Sequence, residues 1–498
     1  MAINSSTKKV VSKKLIKSLG TKVQTSVLVD EQSGVENVLN AVCWPSVVSA
    51  EMLGEHLQIF GKCDLEVCFT DKDKNYQTAK EVTEFSERTQ LGSFENVSVV
   101  PALKNVQTKK AGNNLIDVIA SIELSVYGVM VEEITPIETS NQDCVEKTEK
   151  LSLQSLSACA SERFEISEEM EVLGTVDKVL FSSGRVLAFK TTPMDNYAKI
   201  EGSVEIETVC LMGGTVKRTT QNVDFVQEVS VLNLKPSDVV DDSLVLELVE
   251  LSANASQDQS KTILTASLKM QAHIYAFVQN EIEVVSDLFS LKKQLSFSTQ
   301  CFNNEKFVKK ISFAERLNLS VDMKDAKRMD EIIFVGKPEV SVSQTLLDQD
   351  GVQVSGSIMQ NIVYKNYDVE DVLSTKLEIP FACLCALAED VKDAEFLFDI
   401  KCNSFKNKVG KEIDFNYELA YEAKVYEKNY DCYVSKAEEL EDLAQNENSI
   451  IIYRPQAGDD LYEISKELRV SPDIILSQNP NYEEGQENSK VVVYLQKK

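Results

Sequence analysis

Val352-Gln353-Val354-Ser355-Gly356-Ser357-Ile358-Met359-Gln360-Asn361-Ile362-Val363-Tyr364 alternates apolar and polar residues around one glycine, and two other stretches repeat the pattern. Leu57 to Phe69 is centred on Gly61, and Ala198 to Cys210 on Gly202. Two residues before each glycine stand Ile59, Ile200 and Val354; two after stand Cys63, Val204 and Ile358. This period of two predicts three half-buried strands. A glycine inside such a strand marks a bulge or a close approach of another backbone.

The correspondence runs well beyond the strand. Phe85, Phe225 and Phe381 follow their glycines by 24, 23 and 25 residues, and Tyr127, Tyr275 and Tyr426 follow by 66, 73 and 70. Alternating runs precede each tyrosine, and Val35–Leu39, Val176–Leu180 and Met329–Ile333 lie upstream at matching offsets. Landmarks at nearly fixed spacing imply internal repeats. The predicted fold is mainly β: three tandem β-rich, sandwich-like repeats, with the three phenylalanines buried, then a small α+β unit. The expected boundaries are a basic N-terminal arm at 1–25, repeats at 26–135, 171–285 and 326–432, ordered connectors at 136–170 and 286–325, an acidic helix or linker at 433–448, and a tail domain at 449–498. In the arm, Val11, Leu15, Ile16 and Leu19 could alternatively form a narrow helical stripe among lysines, suited to an anionic membrane surface or an acidic partner.

With 79 acidic against 52 basic residues the formal charge is −27, which argues against a nucleic-acid binder, since phosphate contacts need clustered Lys and Arg. Eleven scattered cysteines read as free, buried thiols of a reducing compartment. No apolar run is long enough to span a bilayer, and no secretory signal is evident, so a cytoplasmic protein is expected. Catalytic patterns are missing: neither His56 nor His273 stands in a recognisable catalytic motif, and His273 is expected on the exposed side of its strand. Asp71-Lys72-Asp73-Lys74-Asn75 begins like a calcium loop, but Tyr76 stands where glycine is needed, so it reads as a hairpin tip. No enzyme, cofactor or metal site is predicted.

The last fifty residues read strand, helix, helix, strand. Asp460 caps the first helix, which carries Leu461, Ile464 and Leu468, and Ser471-Pro472-Asp473 opens the second. This tail resembles a LysM domain, carried by Tyr453, Gly458-Asp459, Leu461, Tyr462, Ile464, Val470-Ser471, Ile474 and Asn479-Pro480, with Asp460 where the family usually has threonine. The resemblance implies a binding groove with Gly458, Asp459, Asp460 and Leu461 facing Ile474, Ile475, Asn479, Pro480 and Asn481. The three repeats resemble the SPOCS domain of SipL-like sporulation proteins, through Gly61, Gly202 and Gly356, through Ile379-Pro380-Phe381, and through Val285-Ser286-Asp287-Leu288-Phe289-Ser290. Tandem SPOCS domains followed by one LysM domain is the SipL-like arrangement. It implies a non-catalytic scaffold of endospore formation that acts in the mother-cell cytoplasm, at the forespore surface or spore coat. Its implied partner is the spore coat's basement-layer ATPase or another coat morphogenetic protein. The alternative is binding of peptidoglycan N-acetylglucosamine polymers by the tail.

Overall fold

The computed structural model describes residues 4–5, 8–30, 34–92, 94–138, 143–254, 261–322, 329–348, 351–385, 394–408, 412–443, 450–456, 459–482 and 490–494, with side chains from residue 18 onward except at 138, 254, 322, 348, 385, 394, 407 and 408. It is mainly β, a set of small antiparallel sheets followed by two short helices. The first unit holds β1 (Asn4–Ser5), β2 (Lys8–Leu28), β3 (Asn37–Leu53), β4 (His56–Thr70), β5 (Tyr76–Gln90), β6 (Glu95–Lys110), β7 (Leu115–Ile134) and β8 (Ile137–Glu138). The second holds β9 (Cys144–Leu173), β10 (Lys178–Pro193), β11 (Tyr197–Met212), β12 (Thr215–Ser230), β13 (Val239–Asn254) and β14 (Lys261–Ser290). The third holds β15 (Lys293–Asp322), β16 (Glu331–Val335), β17 (Glu339–Asp348), β18 (Gly351–Asn366), β19 (Asp371–Cys385), β20 (Ala394–Lys408) and β21 (Glu412–Asp442).

Each unit pairs a meander sheet with a second sheet over one apolar core. The meanders run β3-β4-β5, β10-β11-β12, and β18 flanked by β16, β17 and β19. In all three the glycine lies opposite the phenylalanine: Gly61 pairs with Phe85, Gly202 with Phe225 and Gly356 with Phe381. Phe225 and Phe381 are buried, whereas Phe85 is only half-buried, its ring lying over Gly61 on the edge strand β5. The glycines are required for different reasons. A Cβ at Gly61 would overlap the Phe85 ring, one at Gly202 would come within 2.8 Å of Ala188 O and Phe225 Cζ, and one at Gly356 would overlap the Ser341 carbonyl. The first strand of each meander is bulged at matching points, between Val38 and Asn40, Val179 and Phe181, and Ile332 and Phe334, and such bulges add local twist.

The second sheets are β2-β7-β6, β9-β14-β13 and β15-β21-β20. Their first strands overturn several expectations. The N-terminal arm is strand β2 rather than a tether or helical stripe, and the segments 136–170 and 286–325 carry β9 and β15, integral strands of the second and third units. The acidic stretch from 433 continues β21 to Asp442 rather than forming a helix; residues 444–448 lie outside the description. Composition concealed these strands because one face meets solvent. In β9 Arg163, Glu165, Ser167, Glu169 and Glu171 face outward, while Phe164, Ile166 and Met170 point into the core.

Beside Tyr127, Tyr275 and Tyr426 the long antiparallel pairs β2–β7, β9–β14 and β15–β21 shift register, between Leu15 and Lys17, between Ala276 and Phe277, and between Phe307 and Lys309. Past these points the strand pairs pack on one another, sharing cores such as that of Ile134, Leu151, Val284, Phe302 and Tyr433. Two further expectations are corrected by the structure. His273 of β14 is buried at 3 % exposure rather than solvent-facing. Cys301 and Cys432, directly opposite on β15 and β21, form a disulfide, so not all cysteines are free; Cys43, Cys63, Cys68, Cys144, Cys159, Cys210 and Cys402 are.

The units close into a ring. The last meander strand of each touches the first of the next: β5 with β10, β12 with β16, and β19 with β3. At the centre Leu39, Cys68, Leu180, Phe181, Val209, Phe334 and Val363, drawn from all three meanders, form one apolar cluster. Lys424 of the third unit, fully buried, donates to Asp241 Oδ1 of the second at 2.7 Å and to Asp242 O at 2.8 Å, and its ammonium lies 5.9 Å from the centroid of Tyr127 in the first.

Candidate functional site

The tail consists of β22 (Ile450–Tyr453), α1 (Leu461–Leu468), α2 (Pro472–Gln478) and β23 (Val491–Tyr494), in the expected order. Its core is Ile464, Leu468, Val470, Ile475, Val491 and Val493. Asp460 caps α1, accepting from Glu463 N at 2.8 Å, and Ser471 caps α2, with Pro472 in its first turn. Arg469 ends α1 at φ 54°, a left-handed C-cap.

The residues expected to form a groove fall into two groups. Several are spent on structure. Asp459 Oδ2 accepts from Tyr453 OH at 2.9 Å and from Gln456 N at 2.8 Å. Asn479 ties α2 to β23: its Nδ2 donates to Ile475 O and Val492 O, and its Oδ1 accepts from Val492 N at 2.8 Å. Ile475 is fully buried, and Leu461 packs against the tail core. In contrast, Ile474, Pro480 and Asn481 are solvent-exposed on one rim. Gly458 lies outside the described residues.

Asp460 is also engaged from outside the tail. Lys147 of β9 pairs with Asp460 Oδ2 at 2.8 Å and with Glu463 Oε1 at 3.5 Å, Lys466 pairs with Asp287 of β14, and Arg469 Nη1 donates to Ser290 O at 3.3 Å. Phe289 meets Tyr462 edge-on, ring centroids 5.4 Å apart, and the Arg469 guanidinium sits 5.5 Å from the Phe289 centroid. Burial raises the Asp460 carboxyl, but Lys147 and the Glu463 amide outweigh it and hold Asp460 below the usual carboxylate range. The Lys147 ammonium is raised in turn, chiefly by Asp460. Thus α1 docks on the Cys144/Ser290 end of the antiparallel β9–β14 pair, leaving the α2 rim facing solvent. Sequence reasoning missed this contact because its partners stand more than 170 residues apart, and Lys147 and Phe289 carry no local signal.

Elsewhere, the Asp71 carboxylate organises the expected hairpin tip, accepting from Asp73 N, Asn75 N, Asn75 Nδ2 and Gln77 Nε2. Among the described residues no group of three or more His, Cys, Asp or Glu side chains is arranged to hold a metal, and no helix is long and apolar enough to cross a membrane. No protein-family model matches the chain, and neither does a curated protein or a solved structure.

Proposed function

We propose that this chain is a non-catalytic scaffold made of three copies of one SPOCS-type β domain and a LysM-type tail, and that it helps assemble or anchor the spore coat at the forespore surface by binding another protein. The observation that carries the reading is the docked tail: α1 is committed to the body through Lys147, Lys466 and Phe289, while the α2 rim at Ile474, Pro480 and Asn481 stays open. A ring of β units supplies a rigid platform, and a small module fixed on it presents one face in a defined direction. The matching glycine–phenylalanine pairs and matching bulges in three meanders support the repeat reading. The acidic balance suits a basic or polar protein surface. On this reading the place of action is the mother-cell cytoplasm and the partner is a coat morphogenetic protein such as the basement-layer ATPase.

The test is recovery of partners with the tagged full chain from sporulating cells, comparing the native sequence with an Ile474→Glu, Asn481→Ala double variant. Loss of the partner at an unchanged melting temperature is expected. Undiminished capture by the variant would move binding away from the rim. Co-sedimentation of the purified chain with insoluble peptidoglycan, weakened by the same variant, would instead favour glycan attachment.

A further inference from the structure

The disulfide between Cys301 of β15 and Cys432 of β21 lies toward solvent: Cys301 is exposed and Cys432 half-buried. Cys43, Cys63, Cys68, Cys210 and Cys402, in contrast, are free and buried. Burial pushes the Cys68 thiol up to about 12 and the Cys210 and Cys402 thiols up to about 11. Since the thiolate is the reactive form, those thiols are inert near neutral pH. An exposed disulfide is open to attack and belongs to the labile kind.

The bond is not needed to hold its strands side by side, because β15 and β21 pair from Lys293–Asp442 to Asp322–Glu412. What it fixes is register. Leu295–Glu439 to Ser298–Lys436 and Lys309–Val425 onward obey one register, whereas Thr299–Val434 to Phe307–Tyr426 are displaced from it by one residue, with Ser435 and Val308 as the extra residues on the two strands. The two shifts cancel. A straight ladder continuing from Ser298–Lys436 would set Cys301 opposite Tyr433 instead of Cys432. The disulfide is compatible with the displaced register alone.

That register decides what the segment offers the other units, since a slip of one residue turns each side chain to the opposite face. Phe302 and Tyr433, ring centroids 6.2 Å apart, enter the core shared with Ile134 of the first unit and with Leu151, Leu153 and Val284 of the second. Tyr433 OH accepts from Thr135 N of the first unit at 3.2 Å, and Asn304 Nδ2 donates to Ser152 O of the second at 2.8 Å. An exposed bond therefore controls a buried junction of all three units.

We propose that Cys301–Cys432 is a thiol–disulfide exchange site for a low-molecular-weight thiol, and that its reduction releases residues 299–307 from the displaced register. A thiolate attacks the more exposed Cys301 Sγ; the S–S bond breaks, and its electron pair leaves on Cys432 Sγ, which takes up a proton. A second thiolate attacks the sulfur now bound to Cys301, freeing that cysteine and forming the small disulfide. Two small thiols are oxidised as one protein disulfide is reduced, so the step needs no other reagent. It depends neither on the scaffold reading nor on the tail rim.

The oxidised full chain is equilibrated with mixtures of reduced and oxidised glutathione, its accessible thiols are alkylated, and the labelled positions are read by mass spectrometry. Hydrogen exchange is recorded on both forms. Cys301 and Cys432 should become labelled together and reversibly at millimolar reduced glutathione, with the chain still folded. Exchange over residues 299–307 should then rise about tenfold, as for a segment that opens locally. Cys301→Ser with Cys432→Ser should exchange like the reduced chain in every mixture. The proposal is overturned if no bond forms in oxidised glutathione, if the bond resists reduced glutathione until denaturant is added, or if the reduced chain protects residues 299–307 as well as the oxidised one does. These readouts come from the native sequence, so they decide the matter even where the double variant fails to fold.

Discussion

Where the three units meet, Phe181 of the second packs 5.3 Å, centroid to centroid, from Phe334 of the third inside a fully buried cluster shared with Leu39 of the first, and the Lys424–Asp241 pair is fully buried. Where the tail meets the second unit, the contact is two rings and a set of partly exposed ion pairs led by Lys147–Asp460. The first junction rests on apolar burial, which salt does not screen. The second rests on charges in reach of solvent, which contribute little each and fade with ionic strength. One chain therefore holds a platform built to stay closed and a module whose attachment is tunable, and each difference can be attacked separately.

The largest effect should come from Lys424. Burial by itself would lower its pKa, but Asp241 outweighs burial and keeps it charged. Lys424→Met leaves the Asp241 carboxylate, itself fully buried, without its counter-charge. Breaking such a pair costs about 3–5 kcal/mol, read as a fall in the urea midpoint at constant slope. Adding Asp241→Leu to Lys424→Met should recover much of the loss. A single variant within 1 kcal/mol of the native chain, on the order of surface effects, would show that the ring junction does not depend on this pair.

Next comes the glycine series. Gly356→Ala drives a methyl into the Ser341 carbonyl, a backbone atom of bulged β17 that side-chain rotation cannot move aside. Overpacking of this kind costs about 1–3 kcal/mol. Gly202→Ala meets both a carbonyl and a ring, whereas Gly61→Ala meets only the half-buried Phe85 ring, which can turn away. The expected order of destabilisation is Gly356, Gly202, Gly61. A reversed order in denaturant titrations would mean that the three meanders are not stressed as their geometry implies.

These two predictions also mark what was legible in the sequence. Period-two alternation around Gly61, Gly202 and Gly356 is a local signal, and it led to the right strands. The caps Asp460 and Ser471 are equally local. The strands β2, β9 and β15 escaped notice because their outward faces are rich in Ser, Glu and Lys, which lowers mean hydropathy and suggests linkers. His273 was misplaced because strand alternation assumes one open face, and a neighbouring unit covers the second. In the tail, Asp459 and Asn479 were read as groove walls although their polar atoms are consumed by Tyr453 OH, Val492 and other backbone partners. Local sequence reports propensity and capping; it does not report what another unit brings against a face.

The attachment of the tail should respond to charge reversal. Lys147→Glu with Lys466→Glu replaces attraction to Asp460, Glu463 and Asp287 by repulsion. The free-energy change is expected to be on the order of 1 kcal/mol, as for exposed pairs. Small-angle scattering should show a larger radius of gyration for the variant, and the native chain should approach it in half-molar salt. An unchanged radius in both conditions would assign the docking to the Phe289–Tyr462 contact instead.

The smallest effect is in pH, where raised and depressed carboxyls act with opposite sign. In the body, burial pushes Glu66, Glu339 and Glu422 above the usual carboxylate range. A carboxyl raised in the folded state binds its proton more tightly there than when unfolded, so these groups add stability as pH falls from neutral through their folded values. Asp460 at the docking contact and Asp71 in the first hairpin tip are depressed, because ion pairing and hydrogen bonds outweigh burial. Their contribution is present above about pH 4, the ordinary aspartate value, and is lost as pH falls through the lower folded one. Melting temperature should therefore rise slightly between pH 7 and 5 while hydrogen exchange across Leu461–Leu468 stays slow. Below about pH 4, exchange in α1 should accelerate before the body unfolds. Replacing Lys147 by Met should remove most of that acid sensitivity, since Asp460 then lacks the charge that holds it down. If α1 and the body lose protection together at every pH, the tail is not a separately attached module, and the contrast between the two junctions fails.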